Sequence, residues 1–293
     1  MGNIRLAALA VAGVLGFTAH SSAADLAAPL PVIKGPVAVS AFDWSGVYIG
    51  GHIGGGWTKN TFADPGATAI FNSCCNIGGT PSPLSGGAAA TDANTSSFLG
   101  GVQAGWMYQI GRLVVGGELD WTWTRLNASG AGFYPDCCGG PDFANELYGV
   151  NTKWTATATT IIGVARHRVL FYGRAGAAWA HNDYNLAILD VCAGNICTFG
   201  PMTASDRVVG WTVGTGVRWA FANNWFLDLH YDFMDFGSKA QNFSAVCVGP
   251  GGVGTCPGGN TAASTFNPIF DQRISEVKVG LNYKFAPGTF LFW

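Results

Sequence analysis

The chain has 293 residues, 48% hydrophobic and only 11% charged, with a formal net charge of −2. Soluble domains carry about 25% charged residues, and a chain with no basic run lacks the electrostatic footprint of a nucleic-acid binder. Mean hydropathy is +0.24, yet beyond the N-terminus no apolar run reaches the ~20 residues that a spanning helix needs. Closed strand barrels are the other structure that satisfies its backbone in lipid, so the composition points to one.

Residues 1–24 read as a secretory leader. Arg5 supplies the positive start, Leu6 to Phe17 a short apolar stretch, and Ser22-Ala23-Ala24 a small-residue cleavage site before Asp25. No Cys follows that site, so no lipid anchor is expected. Residues 25–43, with Pro29, Pro31 and Pro36, read as a flexible periplasmic lead-in.

From residue 44 the pattern changes to alternation of period two, the mark of a strand with one apolar and one polar face. Eight such segments follow: Ser45–Thr58, Thr95–Tyr108, Leu113–Thr124, Thr152–Ala165, Val169–His181, Arg207–Phe221, Trp225–Asp235 and Ile274–Phe285. Long Gly-, Asn- and Ser-rich stretches (Asn60–Asn94, Arg125–Asn151, Asn182–Asp206 and Phe236–Asp271) alternate with short turns at Gln109–Arg112, Arg166–Arg168 and Ala222–Asn224. Long outer loops and short periplasmic turns are the outer-membrane arrangement. The fold expected is all-β: an eight-stranded antiparallel up-and-down transmembrane barrel over residues 44–285, with four long extracellular loops, periplasmic termini and a tail at 286–293. Aromatics agree. Trp57, Trp121, Trp123, Trp154, Trp179 and Trp211 gather at loop ends; Trp106, Tyr108, Trp219, Trp225 and Tyr283 gather at turn ends, as two interfacial girdles.

The opposite phase of these strands carries charge: Glu118, Asp120, Arg174, Arg218, Asp228, His230, Asp232, Glu276 and Lys278, with His52, Gln103 and Lys284. Asp228-x-His230-x-Asp232 puts two carboxylates and an imidazole on one face, a set suited to acid–base chemistry or to a metal. The alternative is a polar plug. An eight-stranded barrel is just wide enough for side chains to fill, and buried charges of both signs pair to offset desolvation. The number and mixed sign of these residues favour the plug, and a filled interior opposes an open pore. No nucleophile-elbow, zinc-protease or phosphate-loop motif stands in usable context, so no enzyme and no cofactor are expected.

The cysteines fall in pairs, each within a stretch read as loop: Cys74 and Cys75, Cys137 and Cys138, Cys192 and Cys197, Cys247 and Cys256. In an exported chain they are disulfide candidates. Cys192–Cys197 and Cys247–Cys256 could close locally, and the two adjacent pairs could join across loops, since adjacent cysteines bond to each other only with strain. Zinc is the alternative, without the usual ligand spacing. His181 and Tyr184, with Met202 in the same loop, are candidate haem ligands.

Three stretches carry a resemblance: D-W-S-G-V-Y-I-G-G-H-I-G-G-G-W (Asp43 to Trp57), N-W-F-L-D-L-H-Y-D-F-M-D-F-G (Asn224 to Gly237) and E-V-K-V-G-L-N-Y-K-F (Glu276 to Phe285). With A-D-L-A-A-P-L-P at Ala24 to Pro31, they resemble the outer-membrane immunogenic, opacity-like small-barrel family of Gram-negative bacteria. The resemblance implies an abundant surface barrel, porin-like, adhesin-like or haem-binding in different relatives, with no shared catalytic residues. The expected function is an envelope-structural and surface-interaction role. A small-solute channel and a haem-uptake protein are the alternatives. Expected partners are outer-membrane lipid, the barrel assembly machinery, and host or surface ligands met through the loops.

Overall fold

The computed structural model describes residues 42–63, 68–69, 91–135, 143–192, 195–249, 252–253 and 263–285. Eight long strands form the sheet: β1 (Gly46–Ala63), β2 (Thr91–Ile110), β3 (Leu113–Pro135), β4 (Phe143–Arg166), β5 (Val169–Cys192), β6 (Asn195–Ala220), β7 (Trp225–Ala240) and β8 (Ile269–Lys284). Each pairs antiparallel with its sequence neighbour. β8 also pairs with β1 from Tyr48↔Lys284 to Ala63↔Ile269, so the ring is closed and leaves no free edge.

The alternation decides which face meets what. On β7, Phe226, Asp228, His230, Asp232 and Met234 are buried, while Leu227, Leu229 and Tyr231 point out. Ile53 is 72% and Phe98 92% exposed, whereas Arg218 and Lys278 are fully buried. A soluble sheet would do the reverse; an apolar band outside a polar interior is what a barrel in lipid needs.

At one end the strands join tightly. Gly111 (φ 62°) and His167 (φ 56°) take the left-handed backbone that two-residue hairpin turns demand. A Gly at φ 62° also shapes β7, where Gln272 faces Gly237 but Arg273 faces Asp235, leaving Phe236 as the extra residue of a bulge.

Two expectations change. Much of Arg125–Asn151, Asn182–Asp206 and Phe236–Asp271, read as loop, is paired strand, the last with a further short strand at Phe243–Gly249 lying against β6. The β3–β4 ladder runs on from Leu126↔Thr152 to Pro135↔Phe143, and the β5–β6 ladder to Cys192↔Asn195. Backbone pairing does not require apolar outward residues, and these extensions bury Leu126, Ala128, Tyr148 and Val150 on their inner face. The lead-in also ends in structure. Trp44 is fully buried, and its amide donates to Gln109 Oε1 (2.9 Å). Its ring meets Phe42 (4.7 Å) and Phe226 (5.6 Å), while the Phe42 amide donates to the His167 carbonyl (3.3 Å). These two aromatics fill the turn-end mouth of the barrel. Residues 1–41 and 286–293 lie outside the described residues.

Candidate functional site: the barrel interior

The interior is stacked in layers. At the turn end, Trp44, Tyr48, Val114, Ile161, Leu170, Tyr172 and Phe226 form an apolar floor. Lys284 closes it on one side, its Nζ donating to the carbonyls of Asp43 and Ser45. It therefore caps backbone and takes no part in the charge network above.

That network begins with Glu118, reached from three sides. Arg174 Nη1 donates to Oε1 (2.8 Å); Arg218 Nη2 (2.5 Å) and the Tyr48 hydroxyl (2.5 Å) donate to Oε2. Arg218 Nε continues to Asp228 Oδ2 (3.0 Å), and Tyr172 donates to Asp228 Oδ1 (2.7 Å). The Arg218 guanidinium lies 4.9 Å from the Tyr48 ring, 4.6 Å from Tyr172 and 5.4 Å from Phe226, so its flat faces are covered as its edge is satisfied. Each tyrosine lies over a glycine of the next strand. A Cβ at Gly105 would come within 2.5 Å of the Tyr48 hydroxyl, and one at Gly216 within 2.6 Å of the Tyr172 hydroxyl.

Higher up, Lys278 pairs with Glu276 (2.7 Å), Asp120 (3.0 Å) and Asp232 (3.7 Å), and Arg174 Nε lies 3.2 Å from Asp232. His230 stands between Asp228 (3.6 Å) and Asp232 (3.5 Å); His52 stands 3.4 Å from Asp120 and bonds Gln103 and Thr122. All the charged side chains named here have no exposed surface. Five carboxylates therefore share three permanent cations and two imidazoles, all fully buried among the described residues.

Above the charges, Ala180, Val208, Met234 and Ile274 form a second apolar layer. Thr152, Asn182 and Gln272 then close a triangle of hydrogen bonds of 2.8–2.9 Å. Phe62 stacked on Tyr148 (4.1 Å), with Phe270 and Tyr184, covers the loop end.

All nine residues from Glu118 to Lys278 named as the interior set thus meet in one network. The haem candidates do not meet. Three residues apart on β5, they fall on opposite faces. His181 faces outward and stacks on Trp154 (5.8 Å), whereas Tyr184 is buried inside, its hydroxyl accepting from Asn182 (3.0 Å). Met202 is buried opposite Leu186. Cys192, Cys197 and Cys247 lie in strands rather than loops, at register positions opposite Asn195, Asp190 and Phe199. Cys74, Cys75, Cys137, Cys138 and Cys256 lie outside the described residues. Period-two reading assigns no role to Trp44, Tyr172 or Asn182. Tyr172 and Asn182 share the phase of Arg174, which is the signal that points to them.

A family model described as "Outer membrane protein beta-barrel domain" matches residues 9–285. The chain belongs to this outer-membrane barrel family. Among its relatives, the 31 kDa outer-membrane immunogenic protein of Brucella melitensis biotype 1 is 26% identical over 280 residues, covering 92% of this chain and 95% of that protein. The 25 kDa outer-membrane immunogenic protein of Brucella abortus biovar 1 is 20% identical over 97% of this chain and all of its own length. Among solved structures, the attachment invasion locus protein Ail of Yersinia pestis aligns at 11% identity and a TM-score of 0.31, over 82% of this chain and 99% of Ail. As a family barrel the chain resides in the outer membrane, with its outward apolar band in lipid. In this arrangement short turns face the periplasm and long connections the exterior.

Proposed function

We propose that the chain is a non-conducting, non-enzymatic surface barrel that contributes to the envelope and presents its extended β3–β4 and β5–β6 hairpins outside the cell. The observation that carries this is the ion-paired layer, whose side chains have no exposed surface, held between two buried apolar layers. An ion crossing such an interior would have to break buried pairs one after another, each break leaving an uncompensated charge at a cost of about 3–5 kcal/mol. The same burial argues against catalysis by Asp228, His230 and Asp232, since the set has no solvent-facing side. The relatives' description as immunogenic outer-membrane proteins supports exposure of the outer hairpins. Export through cleavage after Ala24 and insertion by the barrel assembly machinery belong to the same reading. Refolded protein in planar bilayers is expected to give no single-channel steps at any holding potential it tolerates. Reproducible steps would replace this reading with the channel one.

The cysteines enter as disulfides, because an exported chain meets an oxidising compartment. Cys192 and Cys197 sit two ladder positions out of step, a diagonal relation of about 7–8 Å between Cα atoms. Direct bonding there requires the hairpin tip to adjust, which favours partners elsewhere among the eight. Alkylation without reductant is expected to leave the intact mass unchanged; addition at all eight cysteines would remove the disulfide proposal.

A further inference from the structure

The outer wall carries a feature that the interior does not explain. Across four adjacent strands near the loop end, the register aligns one outward row: Trp123 faces Trp154, Trp154 faces His181, and His181 faces Arg207. One step outward, Arg125 and Lys153 stand at the irregularity that β3 and β4 share. The Trp154 indole is sandwiched, 4.3 Å from Trp121 and 5.8 Å from the His181 ring. Cations thus sit directly on top of the aromatic girdle, facing away from the barrel.

The charges of the two arginines are not used up. Lys153 pairs with Asp183 (3.3 Å), which also lies 3.8 Å from His181 and accepts from Ser205. Asp206 accepts from the Arg207 amide (2.7 Å) and from Gln241 (3.2 Å). The guanidinium groups of Arg125 and Arg207 are exposed and make no hydrogen bond or ion pair among the described residues. Three strand spacings separate them, roughly 14 Å.

Directly below, the wall is hollow. Ala156 lies in register between Trp121 and Trp179, and Ala158 lies between Leu119 and Ala177. These small residues, with Ala104 and Leu119, floor a concavity of about 380 Å³ flanked by the two indoles. That volume falls within the roughly 300–1,000 Å³ of ligand sites. Its lining is apolar because it stands at membrane depth.

We infer that this face is a binding site for an anionic phosphorylated lipid of the outer leaflet. Its phosphates rest on Arg125, Arg207 and Lys153, and one acyl chain fills the hollow between Trp121 and Trp179. Guanidinium forks match phosphate oxygens, and indoles at this level mark the boundary between headgroup and chain. Charge complementarity selects this occupant over a second copy of the chain, whose own Arg125 and Arg207 would meet like charges. The site rests on outward residues only and stands whether or not the interior conducts.

Native mass spectrometry of the folded full chain, released from detergent, tests it. The probes are a bisphosphorylated acylated glucosamine disaccharide, a phosphatidylcholine of matched chain length, and the same bisphosphorylated disaccharide without chains. The phosphorylated lipid is expected to be retained about tenfold better than the phosphatidylcholine, and the Arg125→Ala/Arg207→Ala double variant to lose most of that preference. Ala156→Leu/Ala158→Leu fills the hollow with the charges intact and is expected to weaken the acylated probe but not the chain-free disaccharide. Heat-modifiable migration confirms that both variants are folded. Equal retention of both lipids by the parent chain, or parent-like retention by both variants, overturns the proposal. Binding of the chain-free disaccharide as tight as that of the full lipid shows a phosphate site without a lipid groove, and overturns it as well.

Discussion

Replacing Arg218 with alanine is expected to destabilise the barrel by about 3–5 kcal/mol, the penalty for stranding a buried charge's partners. The guanidinium bonds Glu118 (2.5 Å) and Asp228 (3.0 Å), and no part of it or of either carboxylate reaches solvent. Glu118 keeps Arg174 and Tyr48, but among the described residues Asp228 keeps only the Tyr172 hydroxyl and a histidine at 3.6 Å. The loss therefore concentrates on Asp228. Urea titration followed by the shift of the unheated band on a gel measures it. Pairing Arg218→Met with Asp228→Asn removes the stranded charge and is expected to recover at least ~1 kcal/mol relative to Arg218→Met alone, since contacting sites are non-additive. A single variant within ~1 kcal/mol of the parent, the scale of a neutral hydrogen bond, would mean that water reaches Asp228 and that the interior is not dry.

The ionic layer is legible in the sequence itself because period two sorts residues without ambiguity. Lys278 between Val277 and Val279 has one face available to it, and in a barrel that face is the interior. The same arithmetic separates His181 from Tyr184. An odd spacing on a strand places two residues on opposite sides, so haem ligation by both would need Asn182–Asp206 to be loop. The outer hairpins are harder to see, for a physical reason. Where a strand leaves the lipid its outward residues turn polar, as at Arg125, Asn127 and Ser129, and the remaining inward signal is only Leu126 and Ala128 against Tyr148 and Val150. Gly- and Asn-rich composition then resembles loop although the backbone is paired along the ladder. Trp44 illustrates the opposite problem. Its burial depends on Phe226 and Gln109, which are 182 and 65 residues away, and no local pattern carries that information. The lipid-facing row of cations looks like scattered charges at strand ends until the register places them side by side.

Trp44→Ala is expected to destabilise the barrel by ~3–5 kcal/mol, as for other buried large aromatics cut to alanine, and yet to leave it closed to ions. The indole is fully buried and holds Phe42 and Phe226 by edge contacts. Its removal opens a void at the periplasmic mouth and weakens the segment whose carbonyls Lys284 caps. Trp44→Phe keeps most of the packing and is expected to cost under ~1.5 kcal/mol, so the two variants separate volume from aromatic character. The void stops at Arg218, which remains bonded across the barrel to Glu118 and Asp228. Planar-bilayer recording of the alanine variant should therefore stay silent even as its urea midpoint falls. Conductance in that variant, with none in the parent, would move the barrier to ions from the charge network to the aromatic floor. The envelope role would survive that result, but the interior pairs would then serve stability rather than closure.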